Sequence, residues 1–171
     1  FHVDAAWNFN GDANFSDFTV IGGHSVLAGM DFDSDSLFEV LFVIDETLAP
    51  GGPDPGKLGV YLYESDGNGG YTHVWHFVTP DPGNSLPGMN YGDIDGDGNH
   101  EIYFGVPPGG TNVGADPSQT GGSWGTYIFE QGADGTFPTT PTMLWQHANG
   151  STGLVANDNF RPSSYQIADV D

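Results

Sequence analysis

The chain contains no cysteine. No disulfide can staple the fold, and every thiolate metal site is excluded. Basic residues are almost missing too: Lys57 and Arg161 stand against 23 acidic residues, for a formal net charge of −21. Phosphate recognition draws its affinity from Lys and Arg, so nucleic acid is excluded as a partner, and anionic membranes are disfavoured on the same ground. No apolar run is long enough to insert into a bilayer, no segment resembles a signal peptide, and no stretch shows helical periodicity. The sequence opens on Phe1 without an initiator methionine, as expected of a processed chain or a piece of a larger one.

What is present suits β-structure. A chain of 171 residues has the length of a single domain, and such a chain buries roughly 70% of its unfolded surface on compact folding. Aromatic residues make up 13% and hydrophobic residues 37% of a chain that also carries 27 Gly and 12 Pro. That mixture favours short strands joined by tight turns. The unbalanced negative charge raises self-repulsion in the folded state, and bound cations are the natural offset because many of the Asp residues recur at regular spacings.

The recurrence is a repeat. Acidic clusters occur at Asp31-Phe-Asp33-Ser-Asp35-Ser-Leu-Phe-Glu39, at Asp93-Ile-Asp95-Gly-Asp97-Gly-Asn-His-Glu101 and at Asp169-Val-Asp171. The first two run directly into apolar stretches, Val40–Ile44 and Ile102–Val106, that read as strands. Gly59-Val-Tyr-Leu-Tyr-Glu64 reappears 66 residues on, from position 59 to 125, as Gly125-Thr-Tyr-Ile-Phe-Glu130. Each copy is followed by a turn signal and an aromatic, Tyr71 or Phe137, and Trp7, Trp75 and Trp145 each precede an acidic cluster. Pro53-Asp-Pro-Gly56 and the same tetrapeptide at 80–83 mark turns that end strand pairing. The pattern predicts ten short strands: one around Trp7, then 25–28, 39–44, 58–64, 71–78, 88–91, 101–106, 124–130, 142–147 and 163–168. The expected organisation is one all-β domain over 1–171, built of repeats at about 1–64, 65–130 and an incomplete 131–171.

Gly92-Asp93-Ile-Asp95-Gly-Asp97-Gly98-Asn-His-Glu101-Ile102, together with Asp134-Gly-Thr-Phe137 at the turn after the aromatic strand, resembles the FG-GAP and VCBS repeats. Those repeats build the calcium-binding blades of integrin α-type β-propellers. The resemblance implies antiparallel four-stranded blades forming a β-propeller-like arc, each with an Asp-rich loop between its first two strands that binds one Ca²⁺. It departs from the family at Ser36, where glycine is preferred, and about two and a half repeats are too few for a seven-bladed ring.

The loop chemistry points the same way. Calcium takes six to eight oxygen ligands in a tolerant geometry. Alternating Asp93, Asp95 and Asp97, with Gly96 and Gly98 allowing tight turning, can bend three carboxylates round one point; Asn99, through its carbonyl, and Glu101 complete the set. The corresponding ligands are Asp31, Asp33, Asp35 and Glu39 in the first loop, with Asp169 and Asp171 in the third. An EF-hand is excluded, because its twelfth position, counted from Asp93, falls on Phe104 and not on Glu.

Catalytic readings find less support. Gly121-Gly-Ser123-Trp-Gly125 has the spacing of a nucleophile elbow, but a polar loop precedes it and a strand follows. His73-Val-Trp-His76 would put its imidazoles on opposite faces of a strand, which argues against a metal pair. Glu39, Glu64, Glu101 and Glu130 occupy repeat-equivalent places, as scaffold residues do, and the recurring tryptophans suit packing between blades.

The expectation is therefore a non-enzymatic, calcium-stabilised module of the cell surface or extracellular space, structural or adhesive. The sequons at Asn14 and Asn149 are compatible with a secreted glycoprotein. Unfinished repeats at the two ends would leave unpaired outer strands, which predicts self-association by strand addition into an oligomer or filament. The alternative is a carbohydrate-binding or enzyme-associated propeller fragment that grips glycans with exposed tryptophans.

Overall fold

A computed structural model of the chain describes residues 18–48, 57–79, 88–106 and 125–145. Among these residues the structure is all-β, with no helix and two antiparallel four-stranded sheets. The first sheet runs β1 (Phe18–Met30), β2 (Glu39–Leu48), β3 (Lys57–Ser65) and β4 (Tyr71–Val78). The second runs β5 (Met89–Gly92), β6 (Glu101–Val106), β7 (Gly125–Glu130) and β8 (Met143–Trp145). In both sheets the spatial order follows the sequence order. The acidic loops at 31–38 and 93–100 join the first two strands of their sheets.

Strand boundaries follow the alternation of side chains. In β2 and β3, Leu41, Val43, Val60 and Leu62 turn to one face, while Phe42, Tyr61 and Tyr63 turn to the other. β1 is far longer than the expected 25–28, because bulges near Gly23 and Ala28 absorb breaks that the period-two pattern cannot carry. The strands expected around Trp7 and at 163–168 lie outside the described residues.

The two sheets pack face to face over one core. Leu41, Val43, Leu62 and Trp75 of the first meet Ile102, Phe104, Tyr127 and Phe129 of the second. The contacting faces are unlike: Tyr127 and Phe129 correspond in the repeat to Tyr61 and Tyr63, which lie on the first sheet's other face. The sheets thus stack in the same sense, as successive blades do. Trp75 is buried between them, in edge contact with Phe129, and its indole Nε1 donates to the Pro138 carbonyl at 2.8 Å. This agrees with the packing role expected for that tryptophan. The side chains of Trp7, Trp124 and Trp145 fall outside the described residues.

β4 holds a departure from expectation. Leu62 pairs with Trp75 but Tyr63 pairs with His73, so Val74 is an extra residue inserted into the strand. The bulge puts His73 and His76 on the same face, with a ring nitrogen of each 3.2 Å apart. Simple alternation had placed them on opposite faces.

Candidate metal centre

The acidic loops are held by their own carboxylates. In the second loop Asp93 accepts from the amides of Gly96 and Gly98, Asp95 from that of Asp97, and Asp97 from that of Asn99. The first loop repeats the scheme: Asp31 accepts from Asp35 and Ser36, Asp33 from Asp35, and Asp35 from Leu37. Both loops close on a glutamate at the start of the next strand. Glu39 Oε2 accepts from the Phe32 amide at 2.9 Å, and Glu101 Oε2 from the Ile94 amide at 2.7 Å.

The turning requires positive φ at two alternate positions. Gly96 and Gly98 adopt φ of 79° and 96°, and Ser34 and Ser36 adopt 65° and 74° at the matching places. Glycine takes this conformation freely, whereas an L residue with a Cβ pays about 1–2 kcal/mol for it. Ser36 thus holds the glycine conformation in spite of its side chain. Ser34 carries the same load at the place matched by Gly96.

The folding of the loops gathers their acids. One carboxylate oxygen from each of Asp31, Asp33, Asp35 and Glu39 lies within 4.8 Å of the others, and the same holds for Asp93, Asp95 and Asp97. Oxygens that surround one calcium ion at about 2.3–2.6 Å lie within about 5 Å of one another, so both groups fit a single hard cation. Glu101 stands outside the second grouping; its Oε1 is buried with no hydrogen-bond partner. Asn99 turns its side-chain amide to the Asp97 carboxylate at 2.9 Å. Asp169 and Asp171 lie outside the described residues, as do Ser123 and both Pro-Asp-Pro-Gly segments.

Further acids crowd the same places. Glu39 pairs across the ladder with Glu64, and Glu101 with Glu130. Like charges directly opposite one another destabilise a sheet. Burial, followed by the charges of Asp33 and Glu64, pushes the Glu39 carboxyl up to about 7. Glu101 is raised by burial and then by Asp95, Asp93 and Glu130, while Glu64 is raised by burial and by the first loop's aspartates. The equal spacing of these glutamates was visible in the sequence; their direct pairing was not read from it.

The first loop also lies against the second sheet. Gln131 donates through Nε2 to the Phe32 carbonyl at 2.9 Å and to the Gly135 carbonyl at 2.8 Å. A Cβ built on Gly135 would lie 3.0 Å from the Asp33 Cβ, and the Gly135 φ of 82° is one that other L residues rarely adopt, so glycine suits this close approach. Beside it is a cleft of about 270 Å³ bordered by Asp33, Glu39, Glu64, Trp75 and Asp134.

Residues 31–104 match the FG-GAP-like repeat family. The matched stretch runs from the first acidic loop through the second and into β6. No curated protein and no solved structure matches the chain.

Proposed function

From an FG-GAP-like repeat over residues 31–104 as premise, we propose that the chain is a non-enzymatic, calcium-stabilised structural or adhesive module of the extracellular space, built as a β-propeller-like arc. The observation that carries the calcium reading is the convergence of Asp31, Asp33, Asp35 and Glu39 within 4.8 Å of one another, in a loop whose backbone takes up unfavourable φ values to bring them together. The ion's charge would offset the Glu39–Glu64 repulsion. In the second loop it would sit among Asp93, Asp95 and Asp97, where the buried Glu101 oxygen lacks a partner.

Assembly is the second part of the reading. Sheets that stack through unlike faces can add head to tail, and such contacts continue into a filament when they do not close into a ring. The burial of Trp75 between the sheets weighs against the glycan-binding alternative at that residue. Calorimetric titration of calcium into chelator-treated protein, with native size measured before and after, tests both parts. Uptake of calcium with growth in size supports the whole reading; uptake by a constant monomer removes the assembly part; no uptake overturns it.

A further inference from the structure

The histidines of β4 lie apart from the acidic loops and are drawn together by the Val74 bulge. Val74, the inserted residue, is 46% exposed, while Trp75 on its C-terminal side points into the core. His73 and His76 therefore share the face of Tyr61 and Tyr63. The His76 ring stacks on Tyr61 with centroids 5.5 Å apart and 12° between planes. The His73 ring meets Tyr63 edge-on at 5.2 Å. Two aromatic partners thus fix both imidazoles before any ligand arrives. His76 Nδ1 and His73 Nε2 face each other at 3.2 Å.

We propose that His73 and His76 form a two-imidazole site for a borderline divalent transition ion, Cu²⁺, Ni²⁺ or Zn²⁺. Metal–imidazole bonds are about 2.0–2.1 Å long. At square-planar or tetrahedral angles, two such bonds to one ion hold their nitrogens about 2.9–3.4 Å apart. The observed separation falls inside that window, so an ion can replace the shared proton with little ring movement. Ligand chemistry keeps this site distinct from the loops: imidazole nitrogen suits Cu, Ni and Zn, whereas clustered carboxylates suit calcium. His76 is exposed, so solvent can supply the remaining ligands, and a net charge of −21 enriches cations around the chain.

The test is calorimetric titration of NiCl₂ into the full chain in excess Ca²⁺, which competes for the oxygen clusters, with imidazole ¹⁵N shifts followed on adding ZnCl₂. The expected result is one ion bound per chain, shifts confined to His73 and His76, and an affinity at least about tenfold weaker in either His73→Ala or His76→Ala, since even loss of a residue supporting a metal ligand costs that much. Retained calcium binding in the variants checks that they fold, and the exposed His76 decides the matter if His73→Ala does not. Nickel affinity unchanged in His76→Ala, shifts at other histidines, or nickel displaced by calcium would each overturn the proposal.

Discussion

The two acidic loops follow one plan in different surroundings. Each closes through a buried glutamate and folds its aspartates inward over two residues of positive φ. The second uses glycine at both turning positions; the first uses serine. The first gathers four acids, glutamate included, and the second gathers three. Their second residues differ most: Phe32 is 4% exposed, under Tyr91, Phe137 and the Gln131 turn, whereas Ile94 is 41% exposed. A strained loop is thus kept where a neighbouring sheet clamps it, and a loop without that clamp relies on backbone freedom.

The sharpest way to break this comparison is to truncate the second residue of each loop. Phe32→Ala should cost about 3–5 kcal/mol, the usual loss for a buried phenylalanine, while Ile94→Ala should stay within about 0.5 kcal/mol. Urea unfolding of the two variants checks this, and similar losses would mean that the clamp does not distinguish the loops. Calcium removal comes next. An ion present at a hundred times its dissociation constant adds about 2.7 kcal/mol per site, so chelation should lower the melting temperature by several degrees in scanning calorimetry. Asp33→Asn and Asp95→Asn should each remove part of that shift.

Smaller effects follow from the turning positions. Ser34→Gly and Ser36→Gly should each stabilise by about 0.5–1 kcal/mol, relief of the strained conformation being partly offset by a freer unfolded chain. Gly96→Ser and Gly98→Ser should each cost about 1 kcal/mol, which chemical denaturation would resolve. A separate effect is on pH dependence without calcium. The Glu39 carboxyl, lifted to about 7 from 4.5, holds its proton in the folded state after the unfolded chain has lost its own. Stability of the calcium-free protein should therefore fall as pH rises from about 4.5 through 7. Glu39→Gln should flatten that slope in melting curves recorded across the range.

Much of this architecture was legible because it is local. The runs after each acidic cluster predicted β2 and β6 at their N-terminal ends, and the repeated Gly-x-Tyr/aromatic-Glu segments predicted β3 and β7 to within a residue. What stayed hidden depends on pairing across the chain. The bulge at Val74 follows from how β4 registers on β3, and no period-two reading of His73 to His76 can reveal it. Gln131 reaches a carbonyl 99 residues away, a bond that no local pattern encodes. The rungs Glu39–Glu64 and Glu101–Glu130 lay in between: the repeat showed all four glutamates as equivalent, and adding the hairpin register would have paired them.

The meander order has a kinetic consequence. Every strand pairing in the described residues joins neighbours along the chain, so each sheet can form by closing one connection at a time. A nascent polypeptide could complete the pairing of the first sheet once Val78 has emerged, before β5 is made. Docking of the sheets, through the late-arriving Gln131 and Pro138, then becomes the slow long-range step in which the core is sealed.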